Sequence, residues 1–343
     1  MAIDLALAGA GRITIVHGLA ARDVPGLTIT RVASRTPEAA AERAGQLKAE
    51  ACTYDELPAG ADAVLVATPP ARHAADALQA MAAGAHVLVE KPLATTLEQA
   101  DALVDASAAG GHLLSYAENL AFAPVVQAAV AFTGQLGPLR NLEVRSLQER
   151  PDWGGFLEAE WGGGVLFDLG VHPIAVALLL AEDDPVVAVR GRLEGAADIE
   201  VDEYAEVDLV FGSGLVARVV ASWRDPQPQW DLQAASDTGV VRADLLPHLT
   251  LERNGEPLPV PAAPQGTDLP QVHQFGYVAQ LSAFVADATA GTEPVIGAEF
   301  GRLVLEVVCA AYASAGQGGA DVALPFTGRR DRTPLQLWRD PTA

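Results

Sequence analysis

Lysine is nearly absent from this chain. Only Lys48 and Lys91 occur among 343 residues, and the other 20 of its 22 basic side chains are arginine. The two cations differ chemically: lysine is a compact amine whose pKa falls readily on burial, whereas arginine stays charged under ordinary conditions. Lys48 lies in the polar helical stretch 42–50 and reads as a surface residue. Lys91 ends the apolar run Val87-Leu88-Val89-Glu90-Lys91-Pro92, at the carboxyl end of an expected strand. A site that must hold or release a proton can use lysine there and cannot use arginine.

Basic charge is scarce as a whole. Forty-four acidic residues oppose 22 basic ones, for a net charge of −22. That balance argues against nucleic acid and anionic membrane as partners, since both require a basic face. Cysteine is limited to Cys52 and Cys309, far apart in sequence, which reads as two reduced, buried thiols rather than a disulfide. No spacing of histidine, cysteine and carboxylate residues suggests a metal. The longest apolar stretch near a helix, 171–181, is too short to span a bilayer. Met1-Ala2-Ile3-Asp4 leads directly into a strand instead of an export signal, so a cytoplasmic protein is expected.

What is present falls into two patterns. Residues 1–115 alternate short apolar strands (3–8, 28–33, 63–67, 86–90, 113–116) with helices (12–21, 37–49, 71–83, 97–108). Such alternation builds βαβ units on a parallel sheet. Thr36 is the expected N-cap of the second helix, and Gly84 the stop of the third. From about residue 118 the strands alternate in polarity instead (139–147, 186–194, 204–211, 215–223, 240–244, 249–252), with helices at 171–181, 275–290 and 299–315 and a Pro-rich surface loop at 257–270. The expected architecture is therefore α/β: a Rossmann dinucleotide-binding domain over 1–118, then an α+β domain over 119–343 with a largely antiparallel open sheet.

Gly9-Ala10-Gly11-Arg12-Ile13-Thr14 follows the first strand and opens the first helix. A glycine pair there allows a tight turn and brings backbone N–H groups close to a pyrophosphate at the helix N-terminus. Thr14 replaces the usual third glycine, so helix and strand are expected slightly further apart. After the second strand, the acid that bonds an NAD ribose is replaced by Ser34, followed by Arg35. A hydroxyl and a guanidinium suit a 2′-phosphate. NADP(H) is thus the expected cofactor, with NAD(H) the alternative.

A second chemical cluster is Gly162-Gly163-Gly164-Val165-Leu166-Phe167-Asp168-Leu169-Gly170-Val171-His172-Pro173. Asp168 and His172 are four apart, so in a continuous helix they share a face. The carboxylate can then orient the imidazole, which exchanges protons near neutral pH. Either residue alone reads as a cap or a core side chain. Together, beside Lys91 and a nucleotide loop, they read as a reacting set.

With these motifs, together with Thr68-Pro69-Pro70, His73, Gly84-Ala85-His86-Val87, Glu90-Lys91-Pro92, Asp202 and Ser222-Trp223, the chain resembles the glucose–fructose oxidoreductase / inositol dehydrogenase (Gfo/Idh/MocA) family over nearly its whole length. It departs at Ala175, where the family often has an acid three residues after the histidine. The resemblance implies a dehydrogenase or reductase acting on CH–OH groups, with hydride transfer between nicotinamide and a sugar, polyol or related cyclic alcohol. The roles it implies are His172 as general acid/base, Asp168 orienting it and Lys91 polarising the substrate oxygen, with Lys91 the alternative proton carrier. Expected cofactor contacts are Gly9, Gly11, Arg12, Ile13, Ser34, Arg35, Thr68, Pro69, His73, Glu90 and Lys91. Beside Lys91, Asp168 and His172, substrate contacts are expected at Asn119, at the domain junction, and Trp153, whose ring can stack on a sugar. Trp161 shares that possibility. Tyr277 is not expected to reach the cleft, and His17, His86, His112, His248 and His273 read as structural. The resemblance also implies a homodimer or homotetramer. Two other readings remain: an NAD-dependent glycoside hydrolase of the same fold, and a non-catalytic cofactor-binding sensor.

Overall fold

The computed structural model describes residues 2–261, 263 and 269–340. Ten elements come first: β1 (Ile3–Ala8), α1 (Arg12–Ala21), β2 (Leu27–Ala33), α2 (Pro37–Leu47), β3 (Glu50–Cys52), β4 (Ala63–Val66), α3 (Pro70–Ala82), β5 (His86–Glu90), α4 (Leu97–Gly110) and β6 (Leu114–Ala117). Next are α5 (Pro124–Thr133), β7 (Leu139–Glu149), α6 (Val165–Asp168), α7 (Val171–Leu180), β8 (Val186–Gly195), β9 (Asp202–Phe211), β10 (Val216–Ser222) and β11 (Arg224–Ser236). The chain continues with β12 (Val240–Leu246), β13 (Thr250–Arg253), β14 (Glu256–Pro257), α8 (Pro270–Gln274), α9 (Tyr277–Ala290), α10 (Ala298–Gly316), β15 (Val322–Ala323) and α11 (Pro334–Arg339). Of the expected loop at 257–270, residues 262 and 264–268 lie outside the described residues.

The chain divides into two compact units that are discontinuous in sequence. The first comprises Met1–Ala94, Glu98–Phe122 and Ala263–Arg302; the second comprises Thr95–Leu97, Ala123–Ala262 and Leu303–Ala343. Relative to the expected division at 118/119, residues 263–302 return to the first unit. Val278, Leu281 and Phe284 of α9 belong to the same buried apolar cluster as Leu5, Leu7, Leu65 and Leu88. A helix burying that stripe gains its hydrophobic free energy from the first sheet, so it belongs there although it follows the second sheet in sequence.

The first unit is an all-parallel sheet of order β3-β2-β1-β4-β5-β6. β4 and β6 are buried throughout, and β5 at every residue but His86, as a sheet covered on both faces requires. The order reverses beside β1, and ligands bind at the carboxyl edge of such a switch point. Thr36 caps α2 by accepting from the Ala39 N–H at 3.3 Å, and Gly84 follows α3 with φ +90°.

The second unit is a nine-stranded sheet of order β14-β13-β12-β11-β7-β10-β9-β8-β15, antiparallel except for the β10–β7 pair. β9 shows the alternation that sustains it: Ala205, Val207, Leu209 and Phe211 are buried, while Glu206 and Asp208 face outward. The outward face carries cross-strand pairs, Arg145 with Asp231 at 2.9 Å and Arg218 with Asp208 at 2.9 Å. Among the described residues no single helix is long and apolar enough to cross a membrane. Both cysteines are free.

Asp202, at the start of β9, braces the segment that leads into α6. Its buried carboxylate accepts from the N–H of Gly164 at 3.0 Å, from the N–H of Leu166 at 2.9 Å and from the Tyr312 hydroxyl. Donors at a helix start have no intrahelical partner, so an inward-facing acid replaces the missing cap. Removing one partner of a buried hydrogen bond costs about 1–3 kcal/mol. Asp202→Ala is therefore expected to lower stability in urea titration by about 3 kcal/mol, and Asp202→Asn by less; a loss under about 1 kcal/mol for the alanine variant would show that the brace is not used.

Candidate active site

Gly9 has φ +116°, and a Cβ there would lie 2.3 Å from the Ala67 carbonyl oxygen. Only glycine lets β1 turn into α1 this close to β4. Gly11 is different: a Cβ on it would meet no protein atom within 4 Å. Gly11 is also the N-cap of α1, so no cap side chain shields the first-turn N–H groups. An open glycine cradle over the positive end of a ten-residue helix fits a dinucleotide pyrophosphate. Arg12 is exposed and Ile13 half-buried at this edge. Thr14, in the third glycine's place, is fully buried, and its hydroxyl donates to the Gly9 carbonyl at 3.1 Å. The substitution thus ties the turn to the helix. Arg43 of α2 holds the same loop from outside, donating to the Ala10 carbonyl at 3.0 Å.

Ser34 is half-buried and Arg35 exposed just past β2. Thr68 is buried, and its hydroxyl donates to Asp76 at 2.7 Å; Pro69 is exposed. His73 is only 1% exposed, and both of its ring nitrogens face backbone carbonyls.

At the end of β5 the apolar strand closes on a buried acid. Glu90 Oε1 lies 2.6 Å from His17 Nε2 of α1, and the Lys91 N–H donates to Oε2 at 3.1 Å. Burial works to raise the Glu90 pKa, but the His17 hydrogen bond and charge, with Lys91 and His73 adding to them, hold the carboxyl below its usual range. Tyr277 meets His17 edge-on with ring centroids 5.5 Å apart. Burial and then the carboxylates of Glu90 and Glu118 push its phenol well up. Lys91 is half-buried and joins Pro92 through a cis peptide bond. Asn119 is buried, with Nδ2 donating to the Phe275 carbonyl at 2.7 Å, so this amide secures the approach to α9.

In the second unit Asp168 is the last residue of α6 and buried, while His172 is the second residue of α7 and half-buried. Leu169 and Gly170 separate the two helices, and the chain bends by 43° there. The continuous-helix argument for a shared face therefore does not hold. The glycine run before α6 is demanded by the protein itself: a Cβ on Gly163 would strike Phe167 and the Tyr312 hydroxyl, and one on Gly164 would lie 2.1 Å from the Asp202 carbonyl oxygen. Trp153 is 44% exposed. Trp161 instead packs edge-on against Phe156 at 4.5 Å, beneath Gly155. No group of three or more His, Cys, Asp or Glu side chains placed to hold a metal occurs among the described residues.

Sequence reasoning left His17 and Tyr277 out of the site region and did not assign Asp202 a brace. A buried acid at a strand end was the available signal for His17, because such a group requires a partner.

Residues 3–118 match a family model described as an oxidoreductase family with an NAD-binding Rossmann fold, and residues 126–242 match the GFO/IDH/MocA C-terminal domain, together more than half of the chain. The chain is 34% identical over 164 residues to the 1,5-anhydro-D-fructose reductase of Ensifer adhaerens, covering 46% of this chain and 49% of that protein. It is 30% identical over 226 residues to the scyllo-inositol 2-dehydrogenase (NADP(+)) of Bacillus subtilis (strain 168), covering 62% of this chain and 65% of that protein. The chain thus spans 49% and 65% of the length of these curated relatives. The solved structure of GenD2 from gentamicin A biosynthesis in complex with NAD is similar at a TM-score of 0.85 and 26% identity, over 94% of this chain and 96% of that one.

The two glycines yield opposite expectations. Gly9→Ala combines a disfavoured backbone conformation with a backbone clash and is expected to cost about 3 kcal/mol in a denaturant titration. Gly11→Ala is expected to change stability by no more than about 0.5 kcal/mol while weakening dinucleotide binding measured by fluorescence. Equal stability losses in the two variants would contradict this division of labour.

Proposed function

Because the chain belongs to the GFO/IDH/MocA oxidoreductase family, we propose that it is an NADP-dependent dehydrogenase or reductase acting on a hydroxyl or carbonyl carbon of a sugar, polyol or related cyclic alcohol. The observation that carries this reading lies in the first unit. The glycine cradle after β1 and Lys91 after β5 lie at the same carboxyl edge of one parallel sheet, on either side of β4. A bound nicotinamide dinucleotide supplies the hydride acceptor or donor; the chain must bind it, orient the substrate and handle one proton.

Gly9, Gly11, Arg12 and Ile13 bind the pyrophosphate through the turn and the helix start. Thr68 and Pro69 form the neighbouring rim. Lys91 hydrogen-bonds the substrate oxygen and stabilises negative charge on it. His172 takes or returns the hydroxyl proton, and Asp168 orients it. Lys91 remains the alternative proton carrier. Trp153 offers an aromatic face to a sugar ring. Asn119, with its Nδ2 already donated to Phe275, acts on the local backbone more than as a substrate donor. We further infer self-association into a dimer or tetramer, for which the outward face of the nine-stranded sheet is the natural candidate.

At the adenosine end, Ser34 removes the carboxylate that would repel a 2′-phosphate, and the exposed Arg35 can pair with it. The Bacillus relative's name specifies NADP(+), whereas the GenD2 structure is a complex with NAD. The two curated relatives are a reductase and a dehydrogenase, which favours net redox turnover over hydrolysis or sensing.

Lys91→Ala and His172→Ala are each expected to cut turnover at least about a hundredfold, followed as reduced-nicotinamide absorbance with a panel of sugars and polyols. Normal turnover in both variants would end the catalytic reading. In parallel titrations NADPH is expected to bind more tightly than NADH, and affinities within about twofold of each other would remove the NADP preference.

A further inference from the structure

His73 occupies an unusual position for a neutral side chain. It lies in the first turns of α3, buried to 1% exposure. Its Nε2 is 2.7 Å from the Thr68 carbonyl oxygen, and its Nδ1 is 2.7 Å from the Pro92 carbonyl oxygen. A carbonyl oxygen only accepts, and neutral imidazole has one N–H and one lone pair. A neutral ring would therefore aim a nitrogen lone pair at one of the two oxygens at hydrogen-bond distance. Two N–H groups satisfy both contacts.

We propose that His73 is held as a buried imidazolium and is a positioning residue, its two N–H groups locking the loop after β4 to the cis turn after β5 and so fixing the backbone that carries Lys91. The charged groups around it are consistent with a cation. Glu90, at the end of β5, and Asp76, on its own helix, are the carboxylates acting on the ring. Glu90 is shared with His17 and with the Lys91 N–H. Burial is the largest influence on His73 and holds its pKa below the ordinary histidine value, against the Pro92 and Thr68 carbonyls and the two carboxylates; the cation is called for by the pair of carbonyl oxygens at hydrogen-bond distance. The turn is then gripped from two helices, by His17 of α1 through Glu90 and by His73 of α3 through Pro92.

The positioning role rests on the redox reading above; the protonation state does not. The first test is therefore the imidazole ¹⁵N spectrum of the whole protein labelled with ¹⁵N-histidine, with His73→Gln assigning the signal. Two protonated ring nitrogens at about pH 7.5, roughly a unit above the ordinary histidine pKa, are expected. A nitrogen lacking its proton at that pH overturns the clamp. Through-space contacts to Pro92 in the unaltered protein assign the signal if the variant does not fold. The second test is kinetic. His73→Gln keeps one donor of two, and is expected to lower kcat at least about tenfold while the sugar KM stays within about twofold, because it misplaces a reacting group without removing a binding contact. Unchanged kcat, or a loss confined to KM, overturns the positioning role. Failure of the redox reading would appear instead as no reduced-nicotinamide turnover by the unaltered protein with any sugar or polyol, with the His73 spectrum unaffected.

Discussion

The first unit depends on a carboxylate buried where an apolar strand ends. Glu90 closes β5, and an ionised acid out of water is costly unless hydrogen-bonded and paired. Its partners come from separate places in the chain: His17 from α1, and the backbone of the turn that follows. Meeting that requirement couples the glycine-loop helix to the segment carrying Lys91. Two loops distant in sequence are held at one sheet edge because neither the acid nor the histidine can be left unpaired without penalty.

The second unit solves a similar problem with Asp202. There the acid is the acceptor, and the donors are backbone N–H groups at the start of α6. Glycine makes this possible, since side chains at 163 and 164 would collide with Phe167, Tyr312 and Asp202. The triple glycine thus reflects internal packing just before α6, the helix that ends in Asp168. In both units a buried acid fixes backbone.

Much of the architecture was readable because its signals are local. The βαβ alternation, the glycine loop, Thr36 at the start of α2 and Gly84 after α3 each rest on a few neighbouring residues, and the structure has them all. β3 was missed because three residues carry no period. β11 was missed because Pro226 and Pro228 read as breakers; its pairing with β7 skips from Arg224 to Gln229, so the prolines fall in the irregular stretch. Trp161 was offered as a stacking face, but an aromatic beside glycines serves loop packing equally well, and its composition alone does not separate the two.

The sequence by itself determined the glycine turn after β1 and which strands form a parallel sheet, because spacing and residue type encode turns and periods directly, and it singled out the ionisable groups proposed to react. Only the tertiary structure decided that α9 completes the first core, that Asp168 and His172 sit on successive helices, and that His17 and His73 grip the turn beside Lys91. Those outcomes depend on which buried surfaces and polar groups find partners far along the chain. Such pairing is settled by packing and hydrogen-bond satisfaction, and no local window of sequence contains both partners.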